Sequence, residues 1–219
     1  MNINVLYEDN HVLVVEKPIN VPTQEDDSKD KDLLTILKEY IKEKYNKPGN
    51  VYLGLVHRLD RPVGGVMVFA KTSKAASRLS DQIRLNKFNK VYNAVCLGNV
   101  NNEGRLEDKL LKDTKRNIVK VDPNGKQSIL NYKKLKQKDN LTLVEIKLET
   151  GRPHQIRVQF SSRNHPLFGD QRYGQDVNKK GDQISLWSYK LEIVHPTTKE
   201  KMEFICEPPN KYPWNLFEV

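Results

Sequence analysis

Apolar and polar residues alternate along several stretches of this chain, and this pattern predicts β-strands. Val5 to Tyr7 and His11 to Glu16 read as an opening hairpin, because the turn-forming cluster Glu8-Asp9-Asn10 separates them. Val66 to Ala70 is a short, wholly apolar run of the kind that forms a buried strand. Lys90 to Leu97 alternates again, with valines on one face.

The pattern in the rest of the chain predicts more strands and one charged segment that connects them. A long hairpin is predicted from Gln127 to Leu135 and from Leu141 to Leu148, and the last strands from Ile184 to Val194 and from Lys201 to Cys206. Asn101 to Lys126 is dense in Lys, Arg, Asp and Gly. We therefore expect this stretch to be a projecting loop that contacts a polyanion.

Helical spacing of apolar residues occurs at three places. Leu33 to about Tyr45 has one apolar face and meets a strong stop at Lys47-Pro48-Gly49-Asn50. Ser73 is predicted to cap a second helix. Pro153 is suited to the first turn of a third helix, whose apolar face includes Ile156.

Composition adds an electrostatic and a compartment argument. The chain has 219 residues and a net charge of +9, from 37 Lys and Arg against 28 Asp and Glu, which suits a polyanionic partner such as a nucleic acid. Its two cysteines, Cys96 and Cys206, do not suggest a disulfide framework. Because there is no export signal and no apolar run long enough to span a membrane, we expect a cytoplasmic protein.

The segment from His57 to Gly65 is the strongest candidate for chemistry. It places one carboxylate, Asp60, between Arg58 and Arg61, and a neighbouring guanidinium favours an ionised carboxylate that can act as a nucleophile. Pro62 and the following glycines shape the segment as a loop. Residue chemistry alone leaves open a surface turn with an ordinary ion pair.

The string His57-Arg58-Leu59-Asp60, followed by a glycine-containing turn and an apolar strand, resembles the catalytic motif of the pseudouridine synthases. More narrowly, it is similar to the family typified by the enzyme that modifies both large-subunit ribosomal RNA and transfer RNA. The resemblance implies that Asp60 is the catalytic residue and that Arg58 occupies the space of the flipped base. Where that family usually has Thr-Ser-Gly, this chain has Val63-Gly64-Gly65.

A second signature of the family resembles Lys90-Val91-Tyr92-Asn93-Ala94-Val95, which ends at Gly98. The resemblance implies that Tyr92 stacks on the target uracil. Stacking is a common way to hold a flipped base, so an aromatic ring is physically apt here. Without the resemblance, Tyr92 reads as an ordinary core or sheet aromatic.

The third signature runs from Thr150-Gly151-Arg152-Pro153-His154-Gln155-Ile156-Arg157 to His165-Pro166-Leu167-Phe168-Gly169-Asp170. The resemblance implies that Arg157 pairs with Asp60 and that Ile156 helps to wall the uracil pocket. A guanidinium fork would hold a carboxylate both ionised and oriented. By the same resemblance, we expect substrate contacts from Arg152, Gln155 and His57.

Together the signatures span about Glu16 to Gly174, most of the chain, and imply the pseudouridine synthase catalytic fold. That fold is α+β, with a mixed, mainly antiparallel central sheet and flanking helices. We expect one catalytic domain over residues 1–219, without the RNA-binding module that many relatives carry ahead of it.

The function that the resemblance implies is isomerisation of uridine to pseudouridine in structured ribosomal or transfer RNA. We expect no metal and no redox cofactor, no membrane, no obligate protein partner and a monomer. Whether Asp60 attacks the sugar or removes a ribose proton stays open, as does the identity of the modified uridine. A non-catalytic RNA-binding or RNA-folding protein is the alternative. A metal-dependent nuclease is disfavoured because the sequence lacks a suitable cluster of ligands.

Overall fold

The computed structural model describes residues 3–217. The chain divides into two compact units, one formed by Met1–Lys90 with Ser188–Cys206 and the other by Val91–Trp187 with Glu207–Val219. The fold is α+β, with mostly antiparallel strands and, within the described residues, three α-helices. The fold class predicted from the sequence is confirmed. The predicted domain, residues 1–219, also includes terminal residues that lie outside the described part.

The first unit is built on strands β1 (Val5–Glu8), β2 (Val12–Lys17), β4 (Gly64–Ala70), β10 (Leu186–Val194) and β11 (Lys201–Ile205), which neighbour one another in that order. The two-residue strand β3 (Gly54–Leu55) also pairs with β4. Every residue of β4 is buried, as expected for an apolar strand with neighbours on both sides. Antiparallel pairing of β2 with β4 places Lys17 opposite Gly65.

Gly65 meets a steric requirement at the start of β4. Its φ is +115°, and a Cβ atom at this position would lie 2.2 Å from the carbonyl oxygen of Ser188. The Ser188 hydroxyl in turn donates to the carbonyl of Val66 at 2.9 Å. Only glycine therefore allows the strand to follow this path so close to β10.

Helices α1 (Leu33–Lys44) and α2 (Ser73–Arg84) also belong to the first unit. Asp32 caps α1 by accepting from the backbone N–H of Thr35, and the predicted bounds of this helix are confirmed to within one residue. The prediction for α2 was wrong by one residue at its start, because Thr72 and not Ser73 is the capping side chain.

The second unit carries strands in the order β5 (Asn89–Leu97), β9 (Leu141–Leu148), β8 (Lys126–Lys138), β6 (Glu103–Asp113) and β7 (Ile118–Val121). Its helix α3 (Gln155–Ser161) packs Phe160 against Tyr132 of β8, with ring centroids 5.3 Å apart. Pro153 lies outside α3, because His154 adopts a left-handed φ of 51° just before it. The prediction that Pro153 lies in the first turn was therefore wrong.

The prediction of a projecting loop from Asn101 to Lys126 was also wrong. This stretch forms β6 and β7, which pair with each other and, through β6, with β8. Leu106 and Leu110 are buried while the residues between them are largely charged. Because most residues of the stretch are polar or charged, its sequence did not indicate β6, a strand with one apolar face.

Candidate functional site

The predicted catalytic loop is a tight turn immediately before β4. The N–H of Val63 donates to the carbonyl of Asp60 at 3.0 Å, which closes the turn. Asp60 is half-buried and Arg58 is exposed. No ion pair between Arg58 and a carboxylate is present among the described residues.

A buried lysine holds this turn from behind. The Nζ of Lys17 is completely buried and donates to the carbonyls of Pro18, Arg61 and Val63 at 2.9, 3.0 and 2.7 Å. These acceptors match the N–H donors of an ammonium group. Burial lowers the pKa of Lys17 to about 7, while the attraction of the Asp60 carboxylate opposes that shift. Lys17 is thus a structural clamp and, in its protonated form, a positive charge behind Asp60.

A second clamp comes from the segment that precedes α1. The hydroxyl of Thr23 donates to the carbonyl of Leu59 at 2.8 Å. Farther along this segment, the carboxylates of Asp30 and Asp26 pair with Arg61. The loop between β2 and α1 therefore lies against the Asp60 turn, and Arg61 is engaged by that loop.

His57 is held inside the first unit. Its Nε2 accepts from the N–H of Val68 at 3.1 Å, so the proton of the neutral ring is on Nδ1. The ring packs against Phe88, with centroids 5.2 Å apart. Burial, and then the charge of Lys90, lower the pKa of His57 to about 3. His57 is therefore neutral near pH 7, and its observed contacts are with the protein.

Tyr92 lies in β5 of the second unit, opposite Ile146 of β9. It is 6% exposed, which fits either a core aromatic or a ring at the base of a pocket. Asp60 and Tyr92 belong to different units. The predicted stacking role of Tyr92 stays a prediction.

Arg157 and Ile156 are both buried in α3. Arg157 forms a two-point ion pair with Asp170, from Nε to Oδ2 at 2.9 Å and from Nη2 to Oδ1 at 2.7 Å. Burial raises the pKa of Asp170, but the Arg157 guanidinium and the neighbouring backbone N–H groups together outweigh this effect, so the pKa lies below its usual range. The predicted pairing of Arg157 with Asp60 stays a prediction.

Gln155 and Arg152 shape the turn that leads into α3. The Gln155 carbonyl oxygen accepts from the hydroxyl of Thr150 at 2.8 Å and from the N–H of Arg152 at 3.0 Å, and its amide donates to the carbonyl of Ile129 at 3.1 Å. The Arg152 side chain is exposed and donates through Nε to the carbonyl of Gln127 at 3.1 Å. Gln155 therefore has a structural role whatever its part in substrate binding.

Sequence reasoning gave no function to Lys17, Asp170 or Tyr173. Lys17 follows the apolar run Val12 to Val15 and Glu16 at the end of β2, and this position was the one available signal of a buried cation. Asp170 ends the third signature and Tyr173 follows it by three residues, but nothing in the sequence assigned their partners. Within residues 3–217, no group of His, Cys, Asp and Glu side chains has the arrangement of a metal site. No helix in that range is long and apolar enough to span a membrane.

The part of the chain that carries these elements is similar to known proteins. A profile of the RNA pseudouridylate synthase family matches residues 11–162, which include the Asp60 turn and α3. Ribosomal large subunit pseudouridine synthase D of Yersinia pestis is 37% identical over 222 residues, which are 94% of this chain and 67% of that protein. An uncharacterized RNA pseudouridine synthase of Aquifex aeolicus (strain VF5) is 35% identical over 225 residues, 96% of this chain and 71% of that protein.

The fold agrees with a solved structure as well. Human RNA pseudouridylate synthase domain containing 4 superposes with a TM-score of 0.81 at 21% identity, over 97% of this chain and 91% of that one. At this identity the similarity concerns the fold alone. The family profile and the Yersinia relative, which match most of the chain, show that this protein belongs to the RNA pseudouridylate synthase family and is an isomerase.

Proposed function

We propose that this enzyme converts specific uridines to pseudouridine in structured ribosomal or transfer RNA, with Asp60 as the residue that carries the chemistry. Relatives named for the large ribosomal subunit favour ribosomal RNA as the first substrate to test. The proposed place of action is the cytoplasm. The whole of residues 1–219 is proposed to work as a single catalytic domain and as a monomer.

The observation that carries this proposal is the fixed backbone around Asp60. Lys17 and Thr23 bind the carbonyls on both sides of this residue, those of Leu59, Arg61 and Val63. Holding a reacting group in a set geometry removes much of the entropic barrier of a reaction. A surface turn with an ordinary ion pair would not require a desolvated ammonium behind it.

The proposed reaction breaks the N1–C1′ glycosidic bond and forms a C5–C1′ bond to the same uracil. The hydrogen on C5 leaves as a proton and N1 gains one, so the reaction needs no oxidant or reductant. Asp60 assists bond breaking either by attack on C1′ or by removing a ribose proton. Extruding the base costs a few kcal/mol, least in loops and bulges, which favours structured RNA with unpaired uridines.

The surrounding residues have supporting roles in this proposal. Arg58 is exposed and fills the space left by the extruded base, Tyr92 stacks on the uracil, and Arg157 holds Asp60 ionised. Ile156 walls the uracil pocket. The remaining substrate contacts are proposed for the residues of the first and third signatures, namely His57, Arg152 and Gln155.

Release of tritium from RNA labelled at uracil C5 tests the proposal, because forming the C5–C1′ bond expels that hydrogen. RNA labelled at C6 is the matched control, since the C6 hydrogen is retained. We expect release from the C5 label alone, with fragments of large-subunit ribosomal RNA and transfer RNA assayed side by side. We also expect release to persist in the presence of a chelator, provided that the RNA stays folded. No release from either RNA would support a non-catalytic RNA-binding protein instead.

A further inference from the structure

The guanidinium of Arg157 is held along one edge by Asp170. The side chain of Arg157 is 7% exposed and that of Asp170 is fully buried. The Asp170 carboxylate is itself fixed, because its Oδ1 accepts from the N–H groups of Arg172 at 2.9 Å and Tyr173 at 3.2 Å. Neither partner of this pair can rotate without breaking several hydrogen bonds.

The same guanidinium also lies over the ring of Tyr173. The Cζ of Arg157 is 5.1 Å from the ring centroid, within the range of a cation–π interaction. The Tyr173 hydroxyl is 2.6 Å from Nδ1 of His154 and accepts from the N–H of Val119 at 2.9 Å. The hydroxyl of Ser161 donates to the Tyr173 carbonyl. The ring that supports Arg157 is therefore fixed at both ends.

We propose that Asp170 is a positioning residue for the isomerisation and acts through Arg157. This inference rests on the proposed function, in which Arg157 is the partner of Asp60. Asp170 fixes the plane of the guanidinium and uses its Nε–H and one N–H of Nη2. Any further acceptor can then meet Arg157 only through Nη1 or the outer N–H of Nη2, so Asp170 sets the direction in which Arg157 can donate.

The ion pair also lowers the net positive charge that Arg157 presents to its surroundings. A lone buried guanidinium would carry a full positive charge, whereas the Asp170–Arg157 pair has no net charge. Arg157 in this pair therefore acts mainly by directed hydrogen bonds and less by its charge. Asp170 thus determines both the orientation and the effective charge of the guanidinium through which it is proposed to act.

The test compares Asp170→Asn with Asp108→Asn. Asp108 is a matched control because it also pairs with arginine beside α3, accepting from Arg163 at 2.9 Å, and it also accepts from Gln159 at 2.7 Å. We expect Asp170→Asn to lower the single-turnover rate at saturating RNA by up to about 100-fold, the effect of a misplaced reacting group. RNA affinity should be unchanged. Asp108→Asn should keep the wild-type rate.

The pH dependence of the rate separates positioning from a structural role. If Asp170 acts through Arg157 on Asp60, the acid limb of the rate profile of folded Asp170→Asn moves from its wild-type position. A folded variant with the wild-type rate and the wild-type acid limb overturns the inference and leaves the proposed function intact. Asp170→Glu, which keeps the charge but displaces the carboxylate, should be slowed as well, and a wild-type rate for it also counts against fixed geometry.

A measurement without RNA tests, independently of activity, whether Asp170 holds Arg157. The Nε–H of Arg157 should exchange slowly with solvent in nitrogen-15 spectra of the wild type and of Asp108→Asn, and rapidly in Asp170→Asn. If the wild type releases no tritium, the proposed function fails, yet slow exchange still supports the holding role of Asp170. Rapid exchange in the wild type overturns that role, and it decides the matter even if neither Asp170 variant folds.

Discussion

The ammonium nitrogen of Lys17 lies 2.7 Å from the carbonyl oxygen of Val63, a residue 46 positions farther along the chain. This hydrogen bond connects the end of β2 to the turn that carries Asp60. It places a buried amine, positively charged when protonated, behind the carboxylate to which we propose to assign the chemistry.

Lys17→Met should destabilise the fold and impair the reaction. The substitution fills the same space but leaves the carbonyls of Pro18, Arg61 and Val63 without their donor, at about 1–3 kcal/mol for each carbonyl that finds no water. Urea unfolding measures the loss. Lys44→Met is the matched control, because Lys44 pairs with Glu8 at the surface of the same unit. Equal effects of the two substitutions would contradict the clamp.

The stability that depends on Lys17 should change with pH in a defined direction. Its pKa of about 7 in the folded protein lies below the ordinary 10.5, so between these values the unfolded chain binds more protons. The free energy of unfolding of the wild type should therefore rise with pH, by at most about 1.4 kcal/mol per pH unit, relative to Lys17→Met. No relative rise would mean that the carbonyl acceptors keep Lys17 protonated.

Arg157→Met should destabilise the second unit by about 3–5 kcal/mol, because it leaves the buried carboxylate of Asp170 without its cation. The pKa of Asp170 is lowered in the folded wild type, so the stability from this pair is lost as pH falls through that pKa. In the variant the carboxylate prefers its protonated form. The free energies of unfolding of the two proteins should therefore approach each other as pH falls. A difference in free energy that does not change with pH would contradict the pairing.

RNA binding should depend on salt through the β6–β7 hairpin. Its cations are exposed on β6 and on the turn after it, where Asp113 accepts from the N–H groups of two of them. The substituted residues are Lys109, Lys112, Lys115 and Arg116. Changing all of them to Ala should flatten the plot of log K against log salt, because fewer phosphates are neutralised.

A control for this measurement removes the same charge elsewhere. Lys42, Lys47, Lys201 and Lys211 are exposed and lie outside the hairpin. Changing them together to Ala should leave the slope close to that of the wild type. A slope altered only by the control set would place the RNA surface elsewhere on the protein.

The sequence predicted strands and helices well where apolar spacing was regular. The α1 helix and the strands from Lys90 to Leu97 and Leu141 to Leu148 were confirmed within about a residue, because each has a clear period and a cap or turn at its end. The stretch from Asn101 to Lys126 was not recognised as strands. Its buried leucines are separated by charged residues. The prediction followed the charged composition of the stretch and missed the regular spacing of its leucines.

The residues of the candidate site could likewise be predicted only in part from the sequence. Asp60 and Arg157 were selected by signatures, but their supports depend on contacts between distant residues that no local pattern encodes. Lys17 donates to carbonyls more than forty positions away in the sequence. Asp170 binds Arg157 across 13 positions. Arg61 was read as a neighbour of Asp60 in sequence, yet its ion pairs are with Asp26 and Asp30.

The most direct test of the account is tritium release by Asp60→Asn, measured in a single turnover beside filter binding of the same RNA. Asn keeps the volume of the side chain and removes its charge and its nucleophilic oxygen, so release should vanish while RNA affinity persists. Asp81→Asn, at an exposed carboxylate of α2, is the matched control and should retain wild-type release. Measurable release by pure Asp60→Asn, shown by mass spectrometry not to have deamidated, would contradict the assignment of the chemistry to Asp60.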